Sequence, residues 1–145
     1  MKFEEFEVGR IFTSGPRTVP REEIIGFAER YDRQPLHVDP DVAKDGLFGD
    51  VIGSGYMGLA IAWQLWLDTG SQGTDGRAGV ALEKGRWFKP ITPGMVVSAD
   101  ITVADKRLSS KGQGLVTLAF VLREEGGDPL LSFETVGIMA RATPS

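Results

Sequence analysis

The stretch GYMGLAIAWQLWL, residues 55–67, carries apolar side chains on nearly every side of a helix. A helix with this pattern is buried on most of its faces, so another element must enclose it. The apolar run is interrupted by Gln64, and it is far shorter than the ~20 residues that span a bilayer. We therefore expect a core helix and no membrane segment.

Four β-rich runs after this helix can supply the enclosing element. Short turns (TPG, SSKGQG and GGD) separate them, which predicts consecutive antiparallel strands in a meander. A further strand near residues 11–19 would join an edge, and the glycine-rich residues 68–79 are expected to form a flexible loop. The four runs are VALEKGRWF (80–88), MVVSADITVADKR (95–107), GLVTLAFVLREE (114–125) and LLSFETVGIMAR (130–141).

The region before the core helix has weaker signals. Residues 20–32, PREEIIGFAERYD, have apolar side chains at helical spacing, and Pro35 prevents that helix from continuing. Residues 39–48 offer one or two short helical turns. A length of 145 residues suits one ordinary domain, so we predict a single domain over residues 1–145.

Composition excludes several classes of function. The chain has no cysteine, which removes disulfides, thiolate metal sites and a cysteine nucleophile. Its single histidine, His37, argues against a transition-metal site, so no metal is predicted. A net charge of −4, from 16 basic and 20 acidic residues, gives no attraction to nucleic acid. The amino terminus, MKFEEFEVG, is acidic where a signal peptide is basic, which indicates a cytoplasmic protein.

One segment matches a dinucleotide-binding motif, but the secondary structure predicted around it does not fit a dinucleotide-binding fold. GSGYMG, residues 53–58, matches the GxGxxG pattern, and Asp75 lies near the distance at which such folds place a ribose-binding acid. A nucleotide-binding fold needs alternating strands and crossover helices, whereas strands alone are expected after residue 80. We therefore predict no nucleotide cofactor.

The segment YDRQPLHVD, residues 31–39, contains a candidate acid–base pair. Asp32 ends a helix and His37 follows across a proline turn, so a carboxylate and an imidazole can face one water. The alternative, a surface histidine bonded to a nearby aspartate, stays open on these residues alone. If Ser54 caps the core helix, the amide of Gly55 becomes an unpaired donor that can bind a carbonyl oxygen as it gains negative charge.

This order of features resembles the MaoC-like dehydratases, which are related to the (R)-specific enoyl-CoA hydratases. The resemblance rests on a helix followed by YDRQPLHVDP, a phenylalanine–glycine stretch, a helix that starts with a small residue and glycine, and FKPITPGM before the meander. It extends roughly from Glu7 through the last strand. It implies an α+β hotdog fold, in which a curved antiparallel β-sheet wraps around a long central helix.

The resemblance also implies an activity and its residues. Asp32 and His37 would activate water or take up a proton, and the Gly55 amide would bind a thioester carbonyl. The expected reaction is the reversible addition of water to a 2-enoyl-CoA, giving a 3-hydroxyacyl-CoA. Coenzyme A enters as part of the acyl-CoA substrate, and no separate cofactor is expected. A hotdog acyl-CoA thioesterase and a non-catalytic acyl-thioester-binding or assembly subunit are the alternatives.

Four further residues are predicted to bind the substrate. Gln34 and Ser54 flank the acid–base pair, and with Tyr31 they depart from the asparagine, histidine and glycine that the family pattern usually has there. Arg86 and Lys89 belong to a basic stretch that would contact the phosphates of the carrier, with ordinary solvated charges as the alternative. Open sheet edges and exposed aromatic side chains also predict a homodimer.

Overall fold

The computed structural model describes residues 1–142, which contain five strands and four helices after a short 3₁₀ turn at Phe3–Glu5. The strands are β1 (Ile11–Val19), β2 (Gly76–Trp87), β3 (Met95–Leu108), β4 (Gly114–Glu124) and β5 (Pro129–Met139). The helices are α1 (Arg21–Tyr31), α2 (Pro35–Val38), α3 (Pro40–Ala43) and α4 (Gly55–Asp68).

The five strands form one antiparallel sheet in the order β1-β3-β4-β5-β2. The meander of β3, β4 and β5 and the edge position of β1 are confirmed. The prediction that β2 continues this meander is wrong, because β2 pairs with β5. The segment that connects β2 to β3 contains Pro90 and Pro93. The carbonyl of Ile91 in this segment accepts a hydrogen bond from the amide of Gly53, so the connection passes the start of α4 and does not form a tight turn. Strand β2 also begins at Gly76, inside the predicted loop.

Helix α4 buries one side and leaves a stripe of side chains exposed, so the predicted burial on most faces is only partly confirmed. Aromatic side chains fix its buried side to the sheet. Trp66 is fully buried and meets Phe12 of β1 edge-on, with ring centroids 5.0 Å apart. Trp63 packs on Phe120 of β4, which itself stacks on Phe133 of β5 at 4.6 Å. These contacts hold the second half of α4 against the strands.

The segment between α1 and α4 carries two single-turn helices. Helix α1 ends at Asp32, whose amide donates to the carbonyl of Ala28. Pro35 cannot continue α1. Because proline is accepted at the first position of a helix, Pro35 begins α2. This segment was predicted as a turn and not as a helix. Helix α3 confirms the short helical turn expected within residues 39–48. No helix among residues 1–142 is both long enough and apolar enough to cross a membrane.

Candidate active site

Asp32 and His37 come together at the start of α4. Asp32 follows the last residue of α1, and His37 lies on the single turn α2. The Nε2 atom of His37 is 3.5 Å from Oδ2 of Asp32. His37 is only 5% exposed, so the surface-histidine alternative is wrong.

A main-chain carbonyl fixes the orientation of the histidine ring. Nδ1 of His37 is 2.6 Å from the carbonyl oxygen of Ile52. A carbonyl oxygen can only accept, so Nδ1 carries the hydrogen and Nε2 of the neutral ring is an acceptor that faces Asp32. The sequence holds no signal for this contact, because any residue at position 52 would present the same carbonyl.

Two side chains hold the carboxylate of Asp32. Gln34 Nε2 donates to Oδ1 at 2.9 Å, and Ser54 Oγ donates to Oδ2 at 2.7 Å. These two hydrogen bonds lower the pKa of Asp32 below its usual value, with the bond from Gln34 contributing most and the bond from Ser54 next. A positive charge on His37, when its ring is protonated, lowers this pKa further. Asp32 is therefore ionised at neutral pH, and the donor groups of Gln34 and Ser54 face Asp32 in this structure.

Ser54 is also the N-cap of α4, as predicted. Its hydroxyl oxygen accepts a hydrogen bond from the amide of Tyr56 at 3.2 Å. Gly55 is the first helical residue, and its amide donates to no acceptor within residues 1–142. The positive end of the helix dipole and a free amide thus lie beside the acid–base pair.

A cavity of about 420 Å³ opens onto this group of residues. Asp32, His37 and Gly55 line it, and so does Lys89. Half of the remaining lining residues are aromatic, which suits an apolar ligand. The aromatic side chains are Phe48, Tyr56, Trp87 and Phe88.

The sequence interpretation assigned no role in the site to Trp87. Its indole nitrogen donates to the carbonyl of Gly55 at 3.1 Å, and its ring meets Tyr56 edge-on with centroids 6.0 Å apart. A Cβ atom on Gly55 would lie 2.5 Å from that indole nitrogen. Gly55 is therefore required for this close contact with Trp87 as well as for the helix start.

Of the two basic residues predicted to bind phosphate, Lys89 is paired with acids and Arg86, within the described residues, is not. Lys89 lines the cavity, but its Nζ atom lies 3.6 Å from a carboxylate oxygen of Glu124 and 3.7 Å from one of Asp128. These acids come from a strand and a turn far away in sequence, so a count of neighbouring charges missed them. Arg86 lies on β2 outside the cavity wall and forms no ion pair within residues 1–142.

Comparison with known proteins identifies the family. The family model described as "MaoC like domain" matches residues 5–123. The chain belongs to the MaoC-like domain family. The chain is 33% identical over 118 residues to YdeM, an uncharacterized protein of Bacillus subtilis (strain 168). The match covers 81% of this chain and 84% of YdeM.

Two solved structures resemble this MaoC-like protein along nearly its whole length. A protein from Archaeoglobus fulgidus described as a monoamine oxidase regulatory protein has a TM-score of 0.90 and 26% identity, with coverage of 99% of this chain and 96% of that one. A MaoC-like dehydratase from Rhodospirillum rubrum has a TM-score of 0.88 and 24% identity, with 99% of both chains covered. The α+β hotdog fold is thereby confirmed.

Proposed function

We propose that this MaoC-like protein catalyses the reversible addition of water to a 2-enoyl-CoA, giving a 3-hydroxyacyl-CoA. The observation that carries the proposal is the pair of acceptors formed by Asp32 and His37. Their facing atoms, Oδ2 and Nε2, are 3.5 Å apart, too far for a good direct hydrogen bond. One water oxygen at about 2.8 Å from each atom can donate a hydrogen bond to both.

The proposed chemistry uses this bridging water as the nucleophile. Its oxygen forms a bond to C3 while one of its protons passes to the Asp32–His37 pair. The electrons of the C2–C3 double bond move towards the thioester carbonyl, and the amide of Gly55 stabilises the negative charge on that oxygen. The pair then returns a proton to C2, and the reverse sequence eliminates water.

Coenzyme A is the proposed carrier of the acyl group. The cavity is open on one side, as a substrate with a long carrier arm requires. Lys89 lies at the cavity wall, and Arg86 immediately precedes Trp87, which also lines the cavity. Because two carboxylates already neutralise Lys89, we expect Arg86 to contribute more to phosphate binding.

We further propose that the protein is a homodimer joined through β2. This strand is at one edge of the sheet, and all twelve of its residues are exposed or half-buried. Val80 and Leu82 are exposed on it, and an unpaired apolar edge strand tends to pair with another chain. A second copy of β2 would cover this edge by two-fold symmetry.

The proposal is tested with the purified 145-residue chain and trans-2-enoyl-CoA substrates. Loss of enoyl absorbance, with formation of 3-hydroxyacyl-CoA, is the expected result. Asp32→Asn and His37→Ala should each lower turnover ~10²-fold or more, because both groups handle the same proton. The double variant should lose little beyond the worse single variant.

Asp41→Asn, which changes an exposed acid on α3, is the matched control and should keep normal turnover. Near-normal turnover of either single variant would contradict the shared role of Asp32 and His37. Release of free thiol would identify a thioesterase instead. Binding of the substrate without turnover would identify a non-catalytic subunit.

A further inference from the structure

The edge strand β2 is irregular just before it reaches the catalytic cavity. Glu83 of β2 pairs with Glu134 of β5. Arg86, three residues further along β2, pairs with Ser132, which is only two residues away along β5. Strand β2 therefore carries one extra residue between these pairs. Such a β-bulge bends a strand and redirects the side chains that follow it.

Lys84 has the unusual backbone conformation within this bulge. Its φ angle is 55°, and it is the one residue other than glycine with a positive φ in the part of the chain that the structure describes. This left-handed conformation crowds a Cβ atom against the main chain, so it is unfavourable for lysine. The neighbouring Gly85 does not have a positive φ. The strain thus falls on a residue with a side chain although a glycine stands next to it.

An ion pair alone does not account for this conformation. Nζ of Lys84 lies 3.3 Å from Oε2 of Glu134. Glu83 and Glu134 are direct partners in the sheet, where like charges repel, and Lys84 offsets that repulsion. The lysine side chain is 72% exposed, however, so the ion pair contributes little to stability. The strained backbone therefore points to a role other than this ion pair.

The bulge decides on which face of the sheet Trp87 lies. Trp87 pairs with Leu131, which is buried and faces α4, since a Cβ atom on Gly58 would collide with it. Paired residues place their side chains on the same face, so Trp87 also faces α4. Glu134 is three residues from Leu131, so its partner Glu83 lies on the opposite face. In a regular strand, Trp87 would follow Glu83 by four residues on that face, away from α4.

On the α4 face, Trp87 contributes to the catalytic cavity. Its indole nitrogen donates to the carbonyl of Gly55, and its ring meets Tyr56 edge-on. Both partners belong to the first turn of α4, and Gly55 carries the proposed oxyanion donor. The indole also forms part of the cavity wall. The bulge is therefore what allows the edge strand to contact the start of the helix through Trp87.

We propose that Lys84 is a positioning residue of the catalytic cavity. Its left-handed backbone turns Trp87 onto the first turn of α4, where the indole forms a wall that the acyl thioester contacts. The main chain of Lys84 carries this role, and its charge does not. The contact with the ligand rests on the proposed function, because it takes the ligand to be an acyl thioester.

The variants that test this inference share Gly85→Ala, so that the neighbouring glycine cannot take over the left-handed conformation. Gly85→Ala alone is the control, since a Cβ atom on Gly85 would meet nothing within 4 Å. Lys84→Gly on this background accepts the positive φ without strain. Lys84→Val opposes it, because a β-branched residue rarely adopts it.

Indole NMR signals measure the position of Trp87 without a ligand. The chain has three tryptophans, so a ¹⁵N-labelled sample gives three indole N–H signals, and Trp87→Phe identifies one of them. With valine at position 84, the Trp87 signal should shift and its hydrogen should exchange with water ~10-fold faster. With glycine it should stay as in the control. Unchanged signals of Trp63 and Trp66 would show that the core is intact.

Calorimetry with butyryl-CoA, a saturated ligand that cannot be hydrated, measures the effect on the cavity. Valine at position 84 should raise the Kd ~10-fold, whereas glycine should leave it unchanged. Combining the valine variant with Trp87→Ala should weaken binding no further than Trp87→Ala alone, because Lys84 acts through Trp87. Glu134→Gln, which removes the ion pair and keeps the backbone, should change neither the Kd nor the indole signals.

A Trp87 signal that is the same with valine and glycine at position 84 would overturn the inference. A Kd that rises equally with both would also overturn it, since the charge of Lys84 would then be responsible. So would an unchanged Kd, or a fully additive double variant. If the valine variant does not fold, Lys84→Ala on the same background should give a smaller change in the same direction. A Trp87 signal that depends on position 84, in a chain that binds no butyryl-CoA, would leave the positioning of Trp87 standing and contradict the proposed function alone.

Discussion

Replacement of Ser54 by alanine tests the link between the helix cap and the acid–base pair. The hydroxyl of Ser54 caps α4 through the amide of Tyr56 and also donates to the carboxylate of Asp32. Loss of an N-cap costs about 1 kcal/mol of stability. Loss of a hydrogen bond to a charged group costs about 1.5–3 kcal/mol.

The free energy of unfolding should therefore fall by about 2.5–4 kcal/mol at neutral pH in Ser54→Ala. Native contacts lower the pKa of Asp32, so they stabilise the folded chain above the ordinary carboxyl pKa. That stabilisation disappears as the pH falls through the lowered pKa. In strong acid the difference between the two proteins should shrink to the contribution of the cap, about 1 kcal/mol.

Urea unfolding of the wild-type and Ser54→Ala chains across pH 7 to about pH 2.5 measures this difference. Gln34→Ala is the control, because the Gln34 side chain donates to Asp32 but makes no capping hydrogen bond to a helix. Its effect should vanish in acid, whereas part of the Ser54→Ala effect should persist. A Ser54→Ala effect that is the same at every pH would show that Ser54 does not stabilise the charge of Asp32.

Two further predictions concern Gly55 and assembly. Gly55→Pro removes the amide hydrogen that is the proposed oxyanion donor, whereas Gly55→Ala keeps it. Both variants place a Cβ atom against Trp87. The turnover of Gly55→Pro should therefore be a further ~10²-fold below that of Gly55→Ala, and this difference reports on the amide. Equal turnover of the two variants would rule out the oxyanion role. Light scattering across a dilution series should give the mass of a homodimer, and a monomer with full activity at every concentration would contradict pairing through β2.

The sequence predicted the elements that depend on local pattern. Residues 55–67 are apolar all round, so burial of α4 could be predicted without knowledge of its partners. The hairpins from β3 to β5 follow from short polar turns between apolar strands. The approach of Asp32 to His37 could likewise be predicted, since Pro35 restricts the few residues between them to a tight path.

Contacts between distant segments could not be predicted in this way. The position of β2 beside β5 depends on the segment around Ile91, which bonds to Gly53 some forty residues earlier. The ion pairs of Lys89 with Glu124 and Asp128 join residues that only the sheet brings together. A local count of charges therefore overestimated the positive charge beside the cavity.

Gly55 has two structural requirements, of which the sequence indicates only one. Its place at a helix start accounts for a free amide, but many residues can occupy that position. The structure adds a second requirement, because any Cβ atom there would collide with the indole of Trp87. The glycine thus indicates a close approach without indicating what approaches. Positions 55 and 87 are therefore coupled. A chain with a larger residue at position 55 cannot keep the hydrogen bond from Trp87 to the helix start. The cavity wall that Trp87 forms must then change as well.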